Sequence, residues 1–275
     1  MEKKYKFKDL KVFSSTETMD GNTKKYRRVF DNLETTYLYA ELAFYNKLFD
    51  EEDWTAKVTL KAFSIKGDQR KELCSIEREI EITKEQNIVQ IREGWGNRES
   101  GAYWFRSDYE WEAFIEGISV GIRKFYIENG GLVTPVENPY FKLESIRLFE
   151  GSDGGAPLLD RQYLKKFKAD DTRYIWLEFN FINIQTQPWY AEVFFNFYND
   201  TGLLKGNTSE LKFIEPKDQY ITLTTGWGSN TKGTWYLDKY TLEIVFMDQL
   251  VAVIPFEVGN EYEEGISEFE EVDIE

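Results

Sequence analysis

The sequence predicts an all-β protein: two tandem immunoglobulin-like β-sandwich domains related by internal duplication, with an acidic C-terminal tail. Three observations predict it. The first is a repeat. Tyr37-Leu38-Tyr39-Ala40-Glu41-Leu42-Ala43-Phe44 recurs as Tyr174-Ile175-Trp176-Leu177-Glu178-Phe179-Asn180-Phe181, and Gly94-Trp95-Gly96 recurs as Gly226-Trp227-Gly228. The second is a period of two inside each copy, which marks strands with one face in a core. The third is the spacing of the apolar runs, roughly ten residues apart and separated by turn clusters, with no long helical stripe.

The repeat fixes the scale of the folding unit. Leu10, Phe13, Phe30, Trp54 and Phe125 match Ile146, Phe149, Phe167, Trp189 and Phe256 in order. The offset falls from 174 − 37 = 137 at the tyrosines to 256 − 125 = 131 at the last phenylalanines. Length changes between matched blocks are what surface loops tolerate. A period this long exceeds the roughly 50 residues of solenoid and propeller units, so each copy reads as a whole domain.

Strands follow in order. In copy one they are Tyr5–Ser14, Tyr26–Asp31, Tyr37–Phe44, Thr55–Ile65, Glu72–Ile82, Ile88–Glu93, Tyr109–Ile115 and Ile118–Ile127. In copy two they are Phe141–Glu150, Tyr163–Lys168, Tyr174–Phe181, Ala191–Tyr198, Leu211–Ile214, Tyr220–Thr224, Thr241–Phe246 and Val251–Val258. Leu38, Ala40, Leu42 and Phe44 face the core, which puts Glu41, and by the same count Glu178, on the outer face as solvated carboxylates. Lys66-Gly67-Asp68 and Asn199-Asp200-Thr201-Gly202 suit hairpin loops, because these residues tolerate positive φ. The expected organisation is a first sandwich over 1–131, a linker over 132–139 punctuated by Gly and Pro, a second sandwich over 140–259, and an acidic tail over 260–275.

Composition narrows the functional classes. The chain has 275 residues, a net charge of −15, 17% aromatic residues, one cysteine and no histidine. From Glu257 to Glu275 there are nine acidic residues and no basic one, which leaves −15 + 9 = −6 for the remainder. That stretch reads as a solvated spacer; the sharper alternatives are a lead into another domain or a segment that docks on a basic partner. No basic run is interleaved with aromatics, which disfavours nucleic acid. No apolar stretch approaches the roughly 18 residues a membrane span needs. The lone Cys74 and the missing apolar leader give a cytoplasmic expectation.

Much catalytic vocabulary is missing. Without histidine there is no Ser-His-Asp or Cys-His machinery and no histidine-bound zinc. Cys74 lies in a strand and reads as an inert buried thiol. There is no P-loop, no dinucleotide fingerprint and no calcium-loop spacing, so no cofactor, metal or catalytic residue is expected. A carboxylate-based hydrolase stays open in principle, because paired acids arise by chance among 49 acidic residues.

Aromatic residues are the remaining candidates. Glycines flanking Trp95 and Trp227 allow each indole to fold back over the end of its sandwich as a plug. The alternative is an aromatic-lined loop surface for a protein partner or a sugar ring, to which Trp104 and Trp235 also belong. Tyr37, Tyr39, Tyr174 and Trp176 lie opposite the core-facing residues. They form either an exposed binding row or a layer under a covering loop. Tyr39, Trp95, Trp104, Trp176, Trp227 and Trp235 are therefore the candidate binding residues.

A family resemblance adds an expectation. Gly226-Trp227-Gly228, Gly233-Thr234-Trp235, Tyr240–Phe246, Val251-Ala252-Val253 and Phe256-Glu257-Val258 follow one another as in a bacterial Gly-Trp-Gly β-sandwich module. Phe149-Glu150-Gly151 and Thr172–Glu178 resemble its first half. Tandem copies followed by an acidic linker resemble the N-terminal region of certain bacterial AAA+ ATPases of the sporulation-protein type. Copy one departs from the pattern at Tyr103-Trp104 and Phe125-Tyr126-Ile127. The resemblance implies a non-enzymatic accessory module that recruits a protein partner or substrate; the alternative function is a carbohydrate-binding pair.

Overall fold

The protein is all-β. A computed structural model describes residues 3–19 and 24–269. The chain divides into two compact units, Met1–Asn129 and Gly130–Glu275.

Unit 1 contains β1 (Tyr5–Ser15), β2 (Val29–Asp31), β3 (Tyr37–Asn46), β4 (Trp54–Lys66), β5 (Gln69–Ile82), β6 (Ile88–Gly96), β7 (Ser107–Ile115) and β8 (Ile118–Glu128). They form two sheets, β1-β3-β6 and β2-β8-β7-β4-β5. Every pairing is antiparallel except that β2 runs parallel to β8. One core joins the sheets: Leu10, Val12, Leu38, Leu42 and Phe44 from the first pack with Val58, Leu60, Trp111 and Phe125 from the second. Full burial of each such side chain is worth roughly 1.5–3 kcal/mol.

Unit 2 contains β9 (Phe141–Gly151), a 3-10 turn (Leu158–Asp160), β10 (Leu164–Lys168), β11 (Tyr174–Asn183), β12 (Trp189–Asn199), β13 (Leu204–Ile214), β14 (Tyr220–Gly228), β15 (Asp238–Phe246), β16 (Gln249–Gly259) and β17 (Glu263–Glu264). Its sheets are β9-β11-β14 and β13-β12-β15-β16-β10-β17, with β10 parallel to β16. Rings close the space between them. Phe141 meets Phe246 edge-on at 5.1 Å, and Phe179 meets Phe195 at 5.9 Å.

Several local devices occur in both units. Asn46 ends β3 and Asn183 ends β11. Each amide oxygen accepts a backbone N–H two residues on, from Leu48 (2.9 Å) or Gln185 (3.0 Å), and the indole N–H of the tryptophan opening the next strand, Trp54 or Trp189 (3.0 Å each). The asparagine thus forms an Asx turn and anchors a buried indole at once. The hairpin loops carry Gly67 at φ 57° and Gly202 at φ 74°, as their turn chemistry demands.

The structure departs from the sequence reading at three places. Glu41 and Glu178 are not solvated: they are 2% and 4% exposed. The segments leading into β2 and β10 lie over them, bringing Tyr26 and Tyr163 onto the outer face. Each tyrosine hydroxyl donates to its carboxylate at 2.9 Å, and Arg92 or Arg161 completes an ion pair. Alternation identifies the outer face but not what covers it. Second, the 132–139 segment belongs with unit 2, where Val133 is buried and Asn138 Oδ1 accepts the Tyr140 and Phe141 N–H groups. Third, the acidic stretch is structured in part: β17 pairs antiparallel with β10. Lys166 beside Glu257 offsets some of its charge. Residues 270–275 of the expected tail lie outside the described residues.

Candidate functional site

Tyr39 and Trp176 hold the same place on β3 and β11, and both are covered. The Tyr39 hydroxyl donates to the carbonyls of Thr16 (2.9 Å) and Glu17 (2.8 Å), and its ring stacks on Phe13 at 5.2 Å. The Trp176 indole N–H donates to the Ser152 carbonyl at 2.8 Å, and its rings stack on Phe149 at 6.3 Å. These rings also account for the glycine before each tryptophan of the repeated triplet. A Cβ on Gly94 would collide with the Tyr39 ring, and one on Gly226 with Trp176. A Cβ on Gly96 or Gly228 would meet the carbonyl of Thr36 or Arg173. The triplet is a packing motif under a strapped aromatic ring, and the outer aromatic row is not an open face.

The plug role falls to different tryptophans than expected. Trp95 and Trp227 are the next-to-last residues of strands β6 and β14 rather than loop residues, and Trp95 is 40% exposed. The buried plugs are Trp104 and Trp235. Their indole N–H groups donate to the carbonyls of Trp95 and Arg173, at 3.1 Å each. Trp104 lies edge-on to Tyr109 at 5.1 Å and to Phe125 at 5.6 Å; Trp235 repeats this with Tyr240 at 5.2 Å and Phe256 at 6.2 Å.

A row of core side chains explains why Trp95 and Trp227 differ. In unit 1 the register places Trp111, Ala62 and Cys74 side by side; in unit 2 it places Leu242, Phe197 and Gly206. The bulk sits at different places along the row in the two units. Where Gly206 leaves room, Trp227 fills it, lying 5.9 Å from Phe197 and edge-on to Trp235 at 5.0 Å. Where Cys74 occupies the matching position, Trp95 stays outside, against Tyr103 at 6.4 Å. Burial pushes the Cys74 thiol up to about 11, so it is a poor nucleophile near neutrality.

Each plug also thrusts a neighbouring aromatic outward. The Tyr109 hydroxyl donates back to the Phe105 carbonyl at 2.7 Å, and that of Tyr240 to the Tyr236 carbonyl at 3.1 Å. Burial pushes Tyr109 up to about 12 and raises Tyr240 as well, so both remain donors across the working pH range. Between a buried tryptophan and a buried tyrosine, the chain has one direction left for the residue in the middle. Phe105 is 59% exposed and Tyr236 is 72% exposed. Leu33 and Trp95 add exposed apolar surface in unit 1; Leu203 and Leu237 add it in unit 2. Trp95 is thus the candidate binding residue that stands open, held beside the buried Trp104 of its own unit.

The remaining clusters of charge are tied up structurally. Glu110 and Glu112, the buried carboxylates of β7, are both paired with Arg70, which also stacks over Phe63 at 3.5 Å. Ser119 donates to Glu112 at 2.6 Å. A depression of about 420 Å³ on unit 2 is lined by Pro135, Val136, Phe141 and Ile184 with one acid, Glu137, and one base, Lys142. Among the described residues no group of three or more His, Cys, Asp or Glu is placed to hold a metal, and no helix is long and apolar enough to cross a membrane.

Sequence reasoning passed over Tyr109, Tyr240, Phe105 and Tyr236. The signal was present: in both copies a tryptophan is followed by an aromatic residue at the next position and a tyrosine at the fifth.

No family model and no curated protein matches the chain. Among solved structures it is similar to Pseudomonas fluorescens alkylpurine DNA glycosylase AlkC bound to DNA containing an abasic site analog. That likeness has 10% identity and a TM-score of 0.32, over 45% of this chain and 30% of that one. It is similar also to red sea bream transglutaminase, at 10% identity and a TM-score of 0.31, over 95% of this chain and 32% of that one. The chain thus spans about a third of the length of either structure. At these scores neither likeness bears on what the protein does.

Proposed function

We propose that this protein is a non-enzymatic interaction module in which two immunoglobulin-like sandwiches, copies of one ancestral domain, recruit a protein partner or substrate to a larger machine. The observation that carries the reading is the aromatic corner repeated in both units: a buried tryptophan and a buried tyrosine fix the backbone so that Phe105 and Tyr236 stand in solvent. A protein that holds a large aromatic rigidly outward has met part of the ordering cost of binding in advance. Aromatic anchors of this kind dominate protein–protein binding energy.

The immunoglobulin-like assignment is supported by the tyrosine that opens the penultimate long strand of each unit and bonds back four residues upstream. Duplication is supported by the Asn-Trp anchors, the covered Glu-Tyr-Arg clusters and the common strand order. The Gly-Trp-Gly resemblance suggests a AAA+ ATPase of the sporulation-protein type as the machine, in the cytoplasm, with the acidic residues after Glu257 as the lead towards it. The net charge of −15 favours a protein partner over nucleic acid.

Affinity capture from a native extract with the wild-type chain, Phe105→Ser and Tyr236→Ser tests the reading. The expected result is a stoichiometric partner lost with one or both variants while their melting temperatures hold. Capture that ignores both substitutions, or turnover of a substrate by the purified chain, would count against it. The half-exposed Trp95 keeps a carbohydrate-binding reading in play. Glycan-array signal abolished by Trp95→Ala would favour that reading.

A further inference from the structure

We propose that the chain associates with a second copy of itself through the free edge of β14, pairing Tyr220–Gly228 antiparallel with the same strand across a two-fold axis. Sheet edges invite pairing, and proteins blunt them with charge, proline, bulges or shortness. The other edge strands of the described residues carry such devices. β1 has Lys6, Lys8, Asp9 and Lys11 and a bulge at Lys8; β9 has Lys142, Glu144, Arg147 and Glu150 and a bulge at Glu144. β5 and β13 are charged and carry bulges at Leu73 and Lys205, while β2 and β17 are three and two residues long. β14 has no charged residue, no proline and an unbroken register against β11.

The comparison with β6 sharpens the point, because β6 occupies the same place in unit 1. It is the third strand of its sheet, pairs with β3 without a shift and ends on the same triplet. Where β6 has Gln90, Arg92 and Glu93, β14 has Thr222, Thr224 and Thr225. In unit 1 the two charges are used at the edge: Arg92 pairs with Glu41, and Glu93 reaches Arg78 of β5 at 2.7 Å. In unit 2 the corresponding link to β13 is a neutral bond between the Thr208 and Thr225 hydroxyls, 2.9 Å long.

Register defines what the edge offers. Ser229 N–H bonds to the Arg173 carbonyl and Asn183 N–H to the Gln219 carbonyl, so odd-numbered residues of β14 turn their backbone groups towards β11. Tyr220, Thr222, Thr224, Gly226 and Gly228 therefore turn theirs outward. With the two-fold axis at Thr224, all nine residues overlap. Thr224 faces Thr224 of the second copy, Thr222 faces Gly226, and Tyr220 faces Gly228. No like charges meet. A β-branched pair sits at the centre, and each ring lies opposite a glycine, which is the arrangement that shields an edge glycine. About ten main-chain hydrogen bonds result, two from each facing pair. The two three-stranded sheets become one of six strands. A single strand pair makes a small interface, so the dimer should dissociate on dilution.

The test is sedimentation velocity on the full chain across concentrations on the order of 1 to 100 μM. The expected mass moves from 32.5 kDa towards 2 × 32.5 = 65 kDa. Thr224→Lys sets two ammonium groups on the axis and should weaken the dimer at least tenfold, while Thr224→Val should retain it. Should the lysine disturb folding, cross-linking gives a second readout. In a Cys74→Ala background, Thr224→Cys should oxidise to a disulfide-linked dimer, whereas Thr222→Cys, facing Gly226, should not. A monomer at every concentration overturns the proposal. So does a dimer indifferent to Thr224→Lys, or cross-linking at position 222 instead. A monomeric chain whose complex with a different protein is lost on Thr224→Lys also overturns it, by giving the edge another occupant.

Discussion

Replacing Gly206 by Ala should destabilise unit 2 by about 3 kcal/mol. A methyl group at that position falls inside the Trp227 indole, so the ring has to leave its place. Inserting a methyl into a packed interior costs roughly 1–3 kcal/mol. The displaced indole also gives up its edge-on contact with Trp235 at 5.0 Å and its contact with Phe197 at 5.9 Å, each worth about 0.5–1.5 kcal/mol. Against this, replacing a strand glycine returns roughly 0.5–1 kcal/mol of backbone entropy. For a unit of this size about 3 kcal/mol corresponds to a fall of roughly 9 °C in melting temperature. The assay is thermal unfolding of the full chain followed by circular dichroism, for wild type, Gly206→Ala, Trp227→Leu and the double variant. The shorter leucine makes room for the new methyl, so the double variant should be more stable than the sum of the single losses predicts, by at least about 1 kcal/mol. Losses that add to within about 0.5 kcal/mol would refute the account, because non-interacting sites behave that way.

Glu178→Gln should cost roughly 2 kcal/mol, because it leaves the mostly buried Arg161 without its carboxylate counter-charge while the Ala156 carbonyl and the Phe149 ring remain; a melting temperature equal to wild type would contradict it. Tyr240→Phe removes the hydroxyl that fixes the Tyr236 carbonyl and should cost about 1 kcal/mol. Its informative readout is increased proteolysis near Tyr236, and unchanged cleavage there would speak against a clamping role. Burial raises the Glu243 carboxyl above its ordinary value. The folded state therefore holds a proton that the unfolded state has released, and that contribution to stability is lost as pH rises through the raised value. Glu243→Gln should accordingly gain on wild type more at about pH 7 than at about pH 4; an equal difference at both would refute the burial argument.

Period-two patterning was enough to locate the strands that face the core, because burial on one face is a local property of alternation. It failed where the outcome depended on a third layer. Glu41 and Glu178 alternate correctly with Leu42 and Phe179, yet nothing in β3 or β11 says that Tyr26 and Tyr163 will arrive from elsewhere to cover them. β13 was legible only over Leu211–Ile214, since Lys205, Gly206, Asn207 and Thr208 lack alternation and pair through the backbone of β12. The tryptophans were legible as important and misread as to which is buried. Flanking glycines suggested that Trp95 and Trp227 fold back as plugs, but Gly94 and Gly226 are there to pass beneath Tyr39 and Trp176, and Gly96 and Gly228 to pass the Thr36 and Arg173 carbonyls. The Trp-aromatic-x-x-x-Tyr spacing marked Phe105 and Tyr236 in both copies, but their exposure follows from hydrogen bonds made by the flanking tryptophan and tyrosine, which the spacing alone does not show.

The short parallel pairs have a mechanical consequence. Val29–Asp31 lies alongside Tyr126–Glu128, and Lys166–Lys168 alongside Glu257–Gly259, in each case joining an early segment of the unit to its last long strand. Tension drawn along the chain from one end of a unit to the other pulls these partners in opposite directions along their common axis. Their hydrogen bonds are then sheared together rather than peeled apart one by one. Stretching in an optical trap should give a high rupture force that falls when Phe167→Pro deletes one backbone donor from the patch, and an unchanged force would show that the load is carried elsewhere. Each unit would thus behave as a stiff link, able to pass on a pull without lengthening.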